Sequence, residues 1–114
     1  MRFAVHFLKN KKDFQRILKS GYFYNAPYFK MKWLDNRLAI FRFGVVASLK
    51  VDKKAVVRNK LKRRMRAIFL DQATHLKPGY DFVIMFKPEA KKCDYHQLKE
   101  AMLIFFQKNR LLNK

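Results

Sequence analysis

Acidic residues are scarce in this chain. Eight Asp and Glu stand against 27 Lys and Arg, for a formal net charge of +19. The eight are Asp13, Asp35, Asp52, Asp71, Asp81, Glu89, Asp94 and Glu100, and no two have the spacing of a two-metal nuclease site. Glycine is also sparse: three residues leave no room for a phosphate-cradling loop. The single cysteine, Cys93, allows neither an internal disulfide nor a cysteine-based zinc site, and a buried neutral thiol fits a reducing cytoplasm. No apolar run approaches the length of a membrane span. The opening MRFAVHFLKNKK is too short and interrupted for a secretory segment. Nothing repeats, and no Pro-rich or Gly/Ser-rich linker divides the 114 residues. The expectation is one domain, 1–114, with residues 1–9 as an N-terminal arm.

Catalytic constellations are missing as well. His96 and Glu100 lie four apart, a metal-ligating spacing on a helix, but such a lone pair is more often a surface hydrogen bond. His6 and His75 have no visible partners, and Ser20 and Ser48 lack a nucleophile motif. The expectation is no catalytic residue and no metal held by the protein. Any chemistry this chain serves lies in a partner.

What is present is bulk and positive charge. Hydrophobic residues make up 50%, with twelve Phe, five Tyr and one Trp, enough for a real core and for some rings to face a ligand. The cations are spread over 9–12, 50–54, 58–66 and 87–92, so a folded body offers several contacts to a polyanion. Nucleic acid is the first candidate partner and an anionic membrane surface the second.

The densest run is VDKKAVVRNKLKRRMRAIF, residues 51–69. Val57, Leu61, Met65, Ile68 and Phe69 recur with helical period and fall within an arc of about 120°. Asn59, Lys60, Lys62, Arg63, Arg64 and Arg66 fill most of the rest, with Arg58 at the edge of the apolar arc. The pairs Arg58/Lys62, Lys60/Arg64 and Lys62/Arg66 are like charges four apart, each costing about 0.2–0.5 kcal/mol. Arg58 and Lys60 also sit near the N-terminus, where the helix dipole favours anions. No acid interleaves. A face that works against its own helix in this way is built to meet external negative charge.

Around this helix, Asn10 caps a first helix, with Asp13 as its capping-box partner, Phe14, Ile17 and Leu18 at helical spacing, and Gly21 as the stop. YFKMKWL alternates as a strand, with Phe29, Met31 and Trp33 on one face and Lys30 and Lys32 on the other. After the Asp35-Asn36 turn, RLAIFRFGVVASL (37–49) is expected as a long strand. Phe41, Phe43, Val45 and Ala47 share one face. Arg42, Gly44 and Val46 share the other, which points to partial exposure or a close approach there. YDFVIMFK is apolar on both faces, so it is expected as a central buried strand ended by Pro88. Asp94 and Gln97 form a capping box that opens a last helix, with Leu98, Met102 and Phe105 inward. The pattern predicts a single-domain α/β (α+β) two-layer sandwich.

AVVRNKLKRRMRAIF resembles the signature of the bacterial ribonuclease P protein subunit, in which Arg-Asn-Arg, an apolar residue and basic pairs follow a strand ending in Ser-Lys-Lys. The upstream KKDFQRILKSG, the strand before the basic loop, DFVIMFKP and the closing helix fit the family's order, so the likeness covers nearly the whole chain. It implies the order αβββαβα, a ribosomal-protein-S5-domain-2-like fold with a left-handed crossover. Periodicity alone would favour the right-handed one. It further implies a non-catalytic, RNA-binding subunit of an endoribonuclease, partnered with a catalytic RNA that uses Mg²⁺ to remove the 5′ leader of precursor tRNA. No membrane and no obligatory protein partner are implied.

The resemblance carries the catalytic-RNA contact to Arg58, Asn59, Lys60, Lys62, Arg63 and Arg66. It carries the leader contact to Phe14, Leu18, Lys32, Lys50 and Lys53. Phe14 fits simple core packing equally well. Four positions depart from the family pattern: Lys60 replaces the second Arg, Leu49 the middle Lys of Ser-Lys-Lys, Leu18 a second aromatic and Lys32 a Tyr. The alternative is a general or ribosomal RNA-binding module. A membrane-active cationic protein would need its apolar stripe exposed, and a protein-only nuclease would need an acidic cluster.

Overall fold

The structure, a computed structural model, describes residues 6–113. Along the chain come β1 (His6–Phe7), α1 (Lys11–Ser20), β2 (Tyr22–Asn25), β3 (Phe29–Asp35), β4 (Arg42–Val46), α2 (Ala55–Gln72), β5 (Tyr80–Phe86), a 3-10 turn (Pro88–Lys92) and α3 (Tyr95–Lys108). The expected order αβββαβα is there, preceded by β1. Residues 6–7 of the expected arm are therefore an edge strand, paired in parallel with Arg42 and Phe43 of β4.

Local chemistry accounts for the element ends. The Asn10 side chain accepts from Lys12 N at 2.9 Å and opens α1. Asp13 does not complete a capping box but faces Arg42 at 3.3 Å instead. The Asp94–Gln97 box is formed in full at α3. β4 is shorter than the expected strand over 37–49. Before it, Arg37 N bonds to Asp35 and Leu38 N bonds to Asn36, both through side-chain oxygens, and Asn36 Nδ2 donates to Ile40 O. These turns take up the backbone groups a strand would have used. After it, Val51 N donates to Ser48 O and closes the next turn. Pro88 both ends β5 and starts the 3-10 turn.

The sheet order is β1-β4-β5-β3-β2, with β5 central, parallel to β4 and antiparallel to β3. The main core lies between one sheet face and helices α2 and α3. Phe43, Phe69, Phe82, Phe105 and Phe106 are all fully buried there, and Phe43 stacks on Phe69 at 4.2 Å. A smaller cluster of Leu8, Ile17 and Val83 joins α1 to the opposite face.

Phe43 also reveals the hand of the β4–α2–β5 crossover. Its carbonyl accepts from Leu8 N at 2.9 Å, toward β1, while its ring faces α2. For an L-residue this puts β5 to the left of β4 when β4 runs upward and α2 is in front. The connection is left-handed, against a rule obeyed in about 98% of such units.

Candidate nucleic-acid interface

α2 buries Leu61, Met65, Ile68 and Phe69 and half-buries Val57, so the apolar stripe read from the sequence is its sheet side. The cations divide around the remaining surface. Arg58, Lys62 and Arg66, four apart, form a row on the β1 flank, where the Arg66 guanidinium lies 5.5 Å from the centre of the Phe7 ring. Asn59 and Arg63 lie at the outer crest and are exposed. Lys60 is also exposed and shares the other flank with Arg64, whose Nη1 donates to Cys93 O at 3.0 Å. Arg64 thus ties α2 to the segment before α3. A groove of about 370 Å³ runs between this flank and the 3-10 turn, with Lys91 and Lys92 on its far side.

This helix is left open to anions at its start. Lys54 caps it without a side-chain hydrogen bond, and no acid stands in the first turn. Arg58 is half-buried, and its Nε is buried with no hydrogen-bond partner among the described residues. In the preceding loop Val51 is buried as an anchor, and Lys50 and Lys53 are exposed around it. The Asp52 carboxyl accepts from Lys54 N at 2.8 Å and faces Lys91 at 3.7 Å. The backbone hydrogen bond from Lys54 and then the nearby Lys91 hold it below the usual carboxylate range. Burial pushes the Cys93 thiol up, which favours its neutral form.

The other sheet face builds a cleft. Strand registers place Gly44, Val83, Lys32 and Phe23 in one row across the sheet, and Val46, Met85, Lys30 and Asn25 in the next. α1 covers the first row. The Phe14 ring sits on Gly44, where an added Cβ would lie 2.3 Å from the ring, so the glycine permits the contact. Ile17 packs on Val83, and Lys32 donates through Nζ to the Leu18 carbonyl. The second row is largely outside this cover: Val46, Lys30 and Asn25 are exposed, and Met85 is half-buried against the edge of the Leu8–Ile17–Val83 cluster. It forms the floor of an open cleft whose wall is α1.

Phe14, Leu18 and Lys32 are thus brought together at this wall. Lys50 and Lys53 gather instead around the loop pocket shared with Lys91. Sequence reasoning missed Met85 and Asn25, placed Val46 only on the half-exposed face of its strand, and noted Lys30 only as the strand neighbour of Lys32. The available signals were the alternation of β3 and the Arg42–Gly44–Val46 face of β4.

A buried ionic cluster fixes α1 over the sheet. Asp81 is fully buried. It accepts from Arg42 Nε at 2.8 Å and Nη2 at 2.7 Å, from Arg16 Nη2 at 3.0 Å and from Asn36 Nδ2 at 2.8 Å. Its carboxylate raises the Arg42 guanidinium further above its ordinary value. Arg42 therefore fastens the fold and is not an exposed contact. Among the described residues, no group of three or more His, Cys, Asp or Glu could hold a metal ion. None of the described helices is long and apolar enough to cross a membrane.

Comparison with known proteins identifies the family. The family model for ribonuclease P matches residues 4–110. The ribonuclease P protein component of Synechocystis is 39% identical over 102 residues, covering 88% of this chain and 82% of the relative. That of Microcystis aeruginosa is 34% identical over 110 residues, covering 92% of each. The solved structure of the Staphylococcus aureus RNase P protein superimposes with a TM-score of 0.86 at 27% identity, covering 96% of this chain and 100% of that one. The Thermotoga maritima RNase P protein gives 0.81 at 28% identity, covering 89% and 94%. Matched by the family model over residues 4–110 and by relatives along most of its length, this chain belongs to the ribonuclease P protein family.

Proposed function

We propose that this protein is the RNA-binding subunit of ribonuclease P, docking the catalytic RNA on α2 and holding the 5′ leader of precursor tRNA in the cleft beside α1. One observation carries this reading: the two surfaces lie on opposite faces of one sheet, so a single small domain can hold two nucleic-acid segments at once. A general RNA-binding module needs only one such surface.

Each residue type suits its task. Arg58, Arg63 and Arg66 offer forked donors to phosphate oxygens, and Lys60 and Lys62 add point charges. Asn59 donates and accepts, which suits a 2′-hydroxyl or a base edge. In the cleft, Phe14 and Leu18 give apolar contact to unpaired bases while Lys30 and Lys32 meet the backbone. Lys50 and Lys53 extend positive charge from the end of β4. Mg²⁺ belongs to the RNA, where it supplies the hydrolytic chemistry. The described residues here do not fit a resident ion, and the protein's part is to bind, orient and neutralise. A cytoplasmic location suits the free, buried Cys93 thiol.

The test is precursor-tRNA cleavage by the cognate catalytic RNA at low Mg²⁺, with and without the protein. Stimulation that is lost in the Arg58→Ala, Arg63→Ala double variant supports the subunit reading. Absence of stimulation, with tight binding to unrelated RNA, supports the general module. Cleavage by protein alone would sink both.

A further inference from the structure

The leader cleft does not end at α1. The row beneath α1 continues past Lys32 to Phe23 on the edge strand β2. Phe23 is 55% exposed, and among the described residues no aromatic ring packs on it. Its neighbour Tyr22 points to the other face and leans on Trp33 at 5.4 Å. Phe23 and Lys32 are direct cross-strand partners, so their Cβ atoms are about 5 Å apart. Lys32 in turn reaches the Leu18 carbonyl at the C-terminal turn of α1. The ring therefore stands free just beyond the end of the α1 wall, next to a bound-down lysine and one strand from Lys30. No acid occurs in either cleft row.

We infer that Phe23 is a base-stacking subsite that takes one unpaired nucleobase of the leader where it leaves the cleft over β2. An exposed flat ring flanked by lysines matches what a single strand requires: a π-face for the base and cations for the phosphates on either side. Leu18, whose carbonyl takes the Lys32 bond at the end of α1, has no such face. Phe23 supplies the stacking that position 18 lacks. An apolar protein partner would be met by a ring in an apolar surround, whereas the strand pairing sets Lys30, Lys32 and Asn25 beside this one on the same face. This inference rests on the leader reading of the cleft.

The experiment is a double-mutant cycle in the reconstituted holoenzyme. Precursor tRNAs carrying one abasic nucleotide at successive leader positions are measured for affinity with the wild-type protein, Phe23→Ala, Phe23→Leu and Phe23→Trp, alongside a leaderless tRNA. In the wild type, one leader position should lose about tenfold in affinity on losing its base. Phe23→Ala and Phe23→Leu should weaken the intact leader by the same factor and abolish the effect of that abasic site. Phe23→Trp should preserve it. Leaderless tRNA and the melting temperature should be unchanged.

If the wild type favours leadered substrate but every abasic site costs the Phe23→Ala variant as much as the wild type, the stacking subsite is wrong and the cleft reading stands. If the wild type does not distinguish leadered from leaderless tRNA, the cleft reading itself fails. Equal losses on both substrates, or a change in self-association instead, would make Phe23 a structural or protein-contact residue and overturn the inference.

Discussion

At the scale of single residues, two positions that carry no part of the RNA surface decide whether that surface exists. Asp81 holds Arg42 in a two-pronged pair and Arg16 in a third contact, so it joins β5, β4 and α1 at one buried point. Asp81→Asn would leave two guanidinium groups facing a neutral amide. Removing one partner of a buried pair costs about 3–5 kcal/mol. Because Arg42 and Arg16 are partly exposed, the lower end, about 3 kcal/mol, is expected in a urea denaturation. Gly44 acts through shape. A Cβ there would strike the Phe14 ring at 2.3 Å, so Gly44→Ala must push the ring out of its seat. A loss of about 1–3 kcal/mol is expected. In the Phe14→Ala background the same change should cost little, since the obstacle is gone. Equal costs in both backgrounds would show that the backbone, not the ring, requires the glycine.

At the scale of elements, α2 sets function against stability. Lys62 has Arg58 and Arg66 four residues away on either side. Lys62→Glu converts two repulsive pairs into two attractive ones, each pair shifting by several tenths of a kcal/mol. The melting temperature should rise by about 2–4 °C, while affinity for the catalytic RNA falls. A variant that loses both would mean Lys62 serves the fold. This helix was legible because its message is contiguous: charge and apolar period occupy the same run. β5 and the α3 capping box were legible for the same reason.

β4 was read too long, because alternation persists through Phe41 and Ala47 although Asp35, Asn36 and Ser48 draw the flanking backbone into turns. The pairing of His6–Phe7 with β4 depends on a partner 36 residues away, and the Arg16–Asp81 bond spans 65. Neither leaves a local trace. The cleft floor was illegible for the same reason, since Asn25, Lys30, Val46 and Met85 come from four strands and meet only through register. Gly44 and Arg42 did mark that face as unusual. The close approach there is Phe14, and the arginine is engaged with Asp81 and Asp13.

At the scale of the whole molecule, a net charge of +19 on 114 residues makes salt act in opposite directions on folding and binding. The free protein repels itself, and added ions screen that repulsion at distances beyond a Debye length of about 10 Å at 0.1 M. Its melting temperature should therefore climb with NaCl, and more steeply with sulfate, which also strengthens apolar burial. The complex with the catalytic RNA behaves oppositely, because each neutralised phosphate releases counterions that salt puts back. Five phosphate contacts from α2, through Arg58, Lys60, Lys62, Arg63 and Arg66, predict that log K falls with log salt at a slope of about −3.5 to −4.5. The Arg58→Ala, Arg63→Ala double variant removes two of the five, so its slope should be shallower by about 1.4–1.8. Melting and binding measured across the same salt series separate the causes. A double variant that binds weakly with an unchanged slope would have lost shape rather than charge, which would return Arg58, with its buried Nε, to the fold. A shallower slope with an unchanged melting curve would assign both arginines to phosphate, with the fold as the scaffold that holds them out.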